Sequence, residues 1–192
     1  MPDTPSDSAV VEPIDGCPPE IGYALWTLQE TRRRTLRYVD GISAEALDWQ
    51  PVEQRHSVAT LLYHIAVFEM DWLYTDILGE AEDDERMLPG MPPGLLPHFP
   101  YPILLQDHSY TPVSGEPLAE HLDRLAASRQ AFLDVLTAMS VEEFRTLRPS
   151  GDEQVTPEFV IEHLSQHEAE HRGQIWEARA AAEKALGQLS AV

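Results

Sequence analysis

Four stretches of the sequence carry apolar residues at steps of three and four, which is the spacing of one face of an α-helix. They cover residues 20–40, 57–78, 117–139 and 157–186. Helices of this length with one apolar face bury that face by packing against each other. The pattern therefore predicts an all-α fold, a four-helix bundle with a long crossover loop between the second and third helices.

Residues known to begin and end helices lie at the borders of these stretches. Ser57 and Thr156 precede the second and fourth stretches as predicted N-caps, and Pro157 follows at the first helical position. Gly79 is the predicted stop of the second helix. The sequence SVEE, residues 140–143, has the capping-box pattern of a short additional helix.

Prolines divide the chain into three predicted parts. Residues 1–19 form a Pro-rich N-terminal arm, and residues 20–190 form the bundle domain. Within that domain, residues 79–116 form a Pro-rich loop insertion, which cannot be a regular helix or a central strand. An insertion of this length lets the third helix run parallel to the second.

The charge balance excludes several classes of partner. The chain has 13 basic and 33 acidic residues, which gives a net charge of −20. Such a surface repels the phosphates of nucleic acids and anionic lipid headgroups, so we expect neither a nucleic-acid partner nor a membrane partner. The N-terminus lacks the basic start and apolar core of a signal peptide, and the single Cys17 cannot form an intrachain disulfide. These features predict a cytoplasmic protein.

Three histidines lie at steps of four in the last predicted helix. His163, His167 and His171 therefore stack on one face, with the first and last about 12 Å apart along the axis. Metal–nitrogen bonds are about 2.1 Å, so one ion cannot bind both ends of this ladder. An adjacent pair can share an ion, which leaves His163 with His167, or His167 with His171.

The apolar stripe of the helix favours the second pair. Its inward positions are Val160, Leu164, His167, His171 and Ile175. In the second helix, His64 occupies a core position between Leu61 and Phe68. Three inward histidines with an open coordination position are typical of a catalytic metal rather than a structural one. The alternative is a cluster of hydrogen-bonded core histidines without metal.

Several residues near the ladder receive more ordinary interpretations. Glu168 is expected to face solvent, and Glu69 is either an acceptor for a ligand N–H or a surface charge at the helix edge. Gly173 lies inside a helix, where glycine costs about 1 kcal/mol relative to alanine, so we expect a packing reason for it, and close approach of a neighbouring helix is one candidate. Trp176 is interpreted as a core residue.

Two motifs resemble the DinB/YfiT-like metalloenzyme family. The segment HEAEHRGQI, residues 167–175, is similar to that family's histidine–arginine–glycine–glutamine signature. The segment SVATLLYHIAVFEMDWL, residues 57–73, resembles its second-helix motif, and DWQP, residues 48–51, resembles the lead into it. The resemblance implies a four-helix bundle that holds a divalent ion, zinc or nickel, on His64, His167 and His171.

The resemblance also implies a class of activity. Some relatives are transferases or isomerases that use a low-molecular-weight thiol such as bacillithiol, glutathione or mycothiol. We therefore expect a metal-dependent enzyme that activates a thiol or water for attack on a small electrophilic molecule, with Phe99, Tyr101 and Tyr110 of the loop covering the site. The alternative is a non-catalytic, metal-stabilised bundle that acts as a stress-response or binding module. Family members often pair, so we expect a homodimer.

Overall fold

Six helices follow each other along the chain in the computed structural model, which describes residues 10–50, 56–80 and 90–187. Four are long and match the predicted stretches. The helices are α1 (Pro19–Val39), α2 (Ala44–Asp48), α3 (Val58–Asp71), α4 (Leu118–Leu136), α5 (Val141–Phe144) and α6 (Pro157–Ala185). A short antiparallel hairpin of β1 (Arg148–Ser150) and β2 (Glu153–Val155) precedes α6. The prediction of an all-α bundle is confirmed.

The long crossover leaves α4 parallel to α3. The Arg124 guanidinium lies 4.9 Å from the centre of the Tyr63 ring, and further along both helices Arg129 pairs with Glu69. Both helices therefore advance in the same direction, as the length of the insertion predicts. The direction of α6 is opposite to that of α3, because His64 contacts His171, whereas Phe68, later in α3, contacts His167, earlier in α6.

The second predicted helix changes its form near its end. Regular α-helix ends at Asp71, and a π-helical segment covers Trp72–Ile77. The amide of Leu78 donates to the carbonyl of Leu73, five residues back, which widens the last turn. Gly79 then takes a φ of +72°, a conformation that suits glycine, so it ends the helix as predicted. The expectation of one regular helix up to Leu78 was wrong in this final turn.

The N-terminal caps lie where the sequence places them. Ser57 accepts a hydrogen bond from the amide of Thr60, and Thr156 accepts one from Phe159. Ser140 and Glu143 form both halves of a capping box at the start of α5. These local predictions are confirmed because capping depends on residues that are close in sequence.

The end of the N-terminal arm lies on α1. The amide of Ile14 donates to the carbonyl of Gly22 across 3.1 Å. A Cβ atom at Gly22 would lie 2.7 Å from the Ile14 carbonyl oxygen and 2.9 Å from Cβ of Pro13. Glycine is therefore what lets this segment reach the helix. The arm prediction for residues 1–9 falls outside the described residues.

The Pro-rich crossover lies along α3 where the structure describes it. The amide of Val113 donates to the Thr60 hydroxyl, and the Tyr63 hydroxyl donates to the carbonyl of Tyr101 while accepting from its amide. A short 3₁₀ helix covers Leu96–His98. Residues 81–89 of the predicted insertion fall outside the described residues. None of the helices in the described part of the chain is long and apolar enough to cross a bilayer.

Candidate metal centre

Three histidine side chains meet between α3, which carries His64, and α6, which carries His167 and His171. Nε2 of His167 lies 3.1 Å from Nε2 of His64 and 3.0 Å from Nε2 of His171. The antiparallel arrangement of α3 and α6 brings these side chains together, because both helices turn an apolar face toward each other and the histidines occupy positions in those faces. Ligand atoms of all three residues lie within 4.8 Å of one another.

Burial keeps these histidines neutral. Desolvation, with smaller contributions from the other histidines, lowers the pKa of His64 to about 2 and that of His167 to about 3. Desolvation also lowers the pKa of His171. His64 and His171 are buried, whereas His167 is half-buried. Metal binding requires the neutral imidazole, so all three side chains are in the protonation state of a ligand at neutral pH.

Gln174 selects the tautomer of His171. Its side-chain oxygen lies 2.9 Å from Nδ1 of His171. An amide oxygen only accepts hydrogen bonds, so the proton of His171 lies on Nδ1 and its Nε2 is a bare lone pair. Partners of this kind orient metal-ligating histidines. This contact gives a physical role to the glutamine of the HRGQ segment.

Hydrogen bonds among the histidines cannot satisfy all three nitrogens. With the lone pair of His171 facing Nε2 of His167, that nitrogen must donate its proton to His171. Nε2 of His167 then has no lone pair left to accept a hydrogen bond from Nε2 of His64. If Nε2 of His64 carries a lone pair instead, it needs a donor, and the proton on Nε2 of His167 is already donated to His171. A cation would satisfy all three lone pairs at once, so the residues fit a divalent metal ion.

Aromatic rings enclose the cluster. Tyr110 of the crossover stacks on His64 with ring centres 3.8 Å apart, and His56 stacks on the other side of Tyr110 at 4.3 Å. Phe68 stacks on His167 at 5.0 Å. Of the three loop aromatics expected to cover the site, Tyr110 contacts it, whereas Tyr101 binds Tyr63 through hydrogen bonds and Phe99 is buried in the core.

His163 lies outside the cluster. Its ring contacts that of Trp72 at a tilt of 39°, with ring centres 4.6 Å apart, and stacks on Phe159 at 6.0 Å. The two pairings that helical spacing left open are thereby separated, because His167 and His171 face His64 and His163 does not. The stripe of inward positions favours the same pair.

Sequence reasoning missed a buried charge cluster in the centre of the bundle. It consists of one residue from each long helix, Arg32, Glu69, Arg129 and Glu168. We call it the ion-pair cluster. Each arginine contacts both glutamates, at N–O distances of 2.6 to 3.2 Å.

The ion-pair cluster changes the interpretation of its two glutamates. Burial disfavours the ionised form of Glu69, but the Arg129 and Arg32 guanidiniums outweigh burial and lower its pKa. Glu168 was expected to face solvent and is 2% exposed, so that expectation was wrong. Glu69 is neither a surface charge nor an observed partner of a histidine N–H, because its oxygens bind the two arginines and Ser128.

Two further expectations were wrong. Trp176 is 57% exposed and does not belong to the core. Gly173 has open space around its Cα, because a Cβ added there would meet nothing within 4 Å, so none of the described helices approaches it closely. Both residues are exposed on the outer side of α6, whereas Ile175 and Ala178 on its inner side are buried.

The sequence model of the DinB superfamily matches residues 27–175, which is more than half of the chain. The matched span includes α3, α4, all three clustered histidines and most of α6. The chain belongs to the DinB superfamily. A search of curated proteins finds no match to it.

Membership in the DinB superfamily agrees with the helical architecture and with the His64, His167 and His171 cluster. Within this DinB protein, the described residues contribute no fourth histidine, cysteine or carboxylate to the group of ligand atoms. The cluster therefore offers three nitrogen donors, and three histidines are one of the donor sets of catalytic zinc sites.

Proposed function

We propose that this DinB protein is a metal-dependent enzyme in which His64, His167 and His171 hold a divalent ion, zinc or nickel. The observation that carries the proposal is the approach of three Nε2 atoms whose lone pairs cannot all be satisfied by one another. A bound ion of this kind supplies Lewis acidity, which lowers the pKa of a thiol or of water toward neutrality.

The protein's own residues would prepare the site in three ways. Burial keeps the histidines neutral, so that they bind a cation without first losing a proton. Gln174 orients the ring of His171. Tyr110 and Phe68 cover two sides of the cluster with aromatic surface, which excludes water and strengthens electrostatic interactions there.

The proposed substrates are a low-molecular-weight thiol and a small electrophile. The half-buried His167 marks the side on which the cluster is least covered. There the thiol would give up its proton to water, and its sulfur would attack the electrophile and displace a leaving group such as chloride. The ion that the histidines would hold would supply stabilisation of the negative charge on sulfur. Bacillithiol, glutathione and mycothiol are the thiols to test, and the reaction is of the S-transferase type.

The test is a conjugation assay with purified protein. Protein loaded with zinc or nickel is mixed with each thiol and monochlorobimane, and the fluorescent conjugate is measured over time. We expect turnover with at least one thiol, and its loss in His167→Ala. His163→Ala is the matched control, because this histidine lies on the same helix but outside the cluster. Equal rates in wild type and His167→Ala, for every thiol, would contradict the proposal.

One observation favours a second candidate function, a metal-stabilised bundle that acts as a binding or stress-response module without catalysis. The Tyr110 ring covers His64 at a stacking distance. If this cover stays closed, the ion is structural, and chelation lowers the melting temperature strongly while no conjugate forms. Tyr110→Ala would then leave the chelation effect in place. An enzyme is indicated instead if conjugation is measurable and responds to this substitution.

A further inference from the structure

A groove separates α1 from α4 on the side of the bundle opposite α6 and α3. Few backbone positions of the two helices approach each other. The ion-pair cluster spans the gap, because Arg32 donates to the carbonyl of Leu125 and Arg129 donates to the carbonyl of Leu28, each across 2.6 Å. Long arginine side chains therefore hold the helices apart where smaller residues would let them interdigitate. The space that remains has a volume of about 660 Å³.

The walls of this α1–α4 groove are mainly apolar. Leu36 is 37% exposed, and Leu118, Leu122 and Leu133 of α4 are only half-buried. Ligand sites for small molecules have volumes of about 300 to 1,000 Å³ and are lined mostly by apolar side chains with a few charged groups. The groove matches both properties, and it is separated from the histidines by the ion-pair cluster.

Arginines gather in a second space that adjoins the groove along α1. Four of the 13 basic residues of the chain, Arg33, Arg34, Arg37 and Arg172, line an adjoining space of about 430 Å³, and Arg33 and Arg37 line the groove as well. Arg33 and Arg34 both bind Glu30. Within the described residues, no ion pair engages Arg37 or Arg172.

The charge of this adjoining space is opposite to that of the whole molecule. The net charge of −20 repels anions from most of the surface, so four neighbouring guanidiniums form a local exception. Asp40 also lines the groove, and with Glu30 it offsets only part of that charge. Guanidiniums bind carboxylates and phosphates through paired hydrogen bonds.

We infer that the α1–α4 groove binds a small amphipathic anion, an alkyl chain that ends in a carboxylate or phosphate. The chain would lie on Leu36 and Leu122, and the anionic head would bind Arg37 and Arg172. Charge complementarity selects this occupant, because an uncharged chain would leave the arginines unused and a free anion would leave the leucines exposed. The inference concerns a site apart from the histidines and does not depend on the proposed function.

Isothermal titration calorimetry with decanoate tests the inference. We expect one decanoate to bind per chain. Decanol, which lacks the charge, should bind at least about tenfold more weakly, since it cannot form charge-assisted hydrogen bonds with the guanidiniums. Acetate, which lacks the chain, should give no measurable heat. Failure of decanoate to bind, or equal binding of decanol, would overturn the inference.

Substitutions locate the site. Arg37→Gln with Arg172→Gln should weaken decanoate binding about tenfold, and Leu36→Ser should weaken it as well. Arg145→Gln and Leu147→Ser are the matched controls, because both residues are exposed and lie away from the groove. Leu36 and Arg37 are exposed too, so these variants should fold, which circular dichroism verifies. Equal losses in the control variants would overturn the inference.

Two more measurements exclude other occupants and sites. Decanoate could bind a metal ion at the histidines, so His167→Ala must leave its affinity unchanged, and loss of binding in that variant would overturn the inference. Sedimentation velocity with and without decanoate tests whether a second copy of the chain covers the groove. A dimer that Leu36→Ser dissociates and decanoate does not disturb would assign the groove to self-association and overturn the inference.

Discussion

Nδ1 of His171 lies 2.9 Å from the side-chain oxygen of Gln174, one turn further along α6. This single contact fixes which nitrogen of the ring faces the other two histidines. Its effect on metal affinity can be measured separately from the fold, because Gln174 is exposed and makes no contribution to the core.

We predict that Gln174→Leu lowers zinc affinity about 10- to 100-fold, as loss of such an orienting partner does in other metal sites. Gln174→Glu should keep most of the affinity, since a carboxylate also accepts the Nδ1 proton. Competition with a chromophoric chelator measures both constants. Gln166→Leu is the control, because Gln166 is an exposed glutamine on the same helix that binds Glu162. Unchanged affinity in Gln174→Leu would remove the role assigned to this residue.

The sequence was sufficient to predict the long helices and the histidine cluster because both depend on periodicity. A step of four on a helix places His167 and His171 on one face, and the apolar stripe shows that this face points inward. Ser57 and Thr156 were also predictable, because a cap contacts residues only three positions away.

The ion-pair cluster was not predictable in the same way. Arg32 and Arg129 are 97 positions apart in sequence, and their glutamate partners lie on two other helices. Charged residues are almost never fully buried unless they are paired, so Glu168 alone indicates a solvent-facing position. Only the arrangement of four helices around one point supplies the partners. The sequence carries one signal of a buried cluster. All four charged residues occupy inward positions of their helices, and their two positive and two negative charges cancel.

We predict that Arg32→Met lowers the free energy of unfolding by about 3–5 kcal/mol, because it leaves two buried glutamates to share one arginine. Arg34→Met, at an exposed position that binds Glu30, should change it by less than about 1 kcal/mol. Urea denaturation followed by circular dichroism gives both values.

A double variant tests whether the cluster acts as a unit. Arg32→Met combined with Glu168→Leu leaves the Arg129–Glu69 pair, with an N–O distance of 2.6 Å, as a neutral unit. Its loss of stability should therefore be smaller than the sum of the two single losses. Strict additivity would show that the four charges do not depend on one another.

The buried histidines predict the pH dependence of the metal-free protein. Burial lowers the pKa of His64 to about 2 and of His167 to about 3, below that of an unfolded histidine. The unfolded chain therefore binds more protons below about pH 6.5, and the free energy of unfolding should fall as pH drops from 7 toward 5. The slope is at most about 1.4 kcal/mol per pH unit for each histidine.

Urea denaturation in the presence of a chelator at several pH values measures this slope. His64→Ala should reduce it, whereas His108→Ala should not, since His108 is an exposed residue of the crossover. A stability that is constant between pH 7 and 5.5 would show that the histidines are not desolvated as the structure indicates.

The contact between the arm and α1 gives a prediction about stability. Gly22→Val should displace Ile14, because even a Cβ at this position would lie 2.7 Å from its carbonyl oxygen. We expect a loss of about 1–3 kcal/mol, which is typical of overpacking. Faster proteolysis near residues 10–18 would accompany it. Gly173→Val, a position with open space, is the control for the glycine replacement itself.

The central claim is that His64, His167 and His171 bind one divalent ion between them. Elemental analysis of the untagged protein, after incubation with zinc or nickel and removal of free metal, tests it most directly. The account predicts about one ion per chain for wild type and for His163→Ala, and almost none for His167→Ala. Wild-type protein that retains no metal, or His167→Ala that retains as much as wild type, would contradict it.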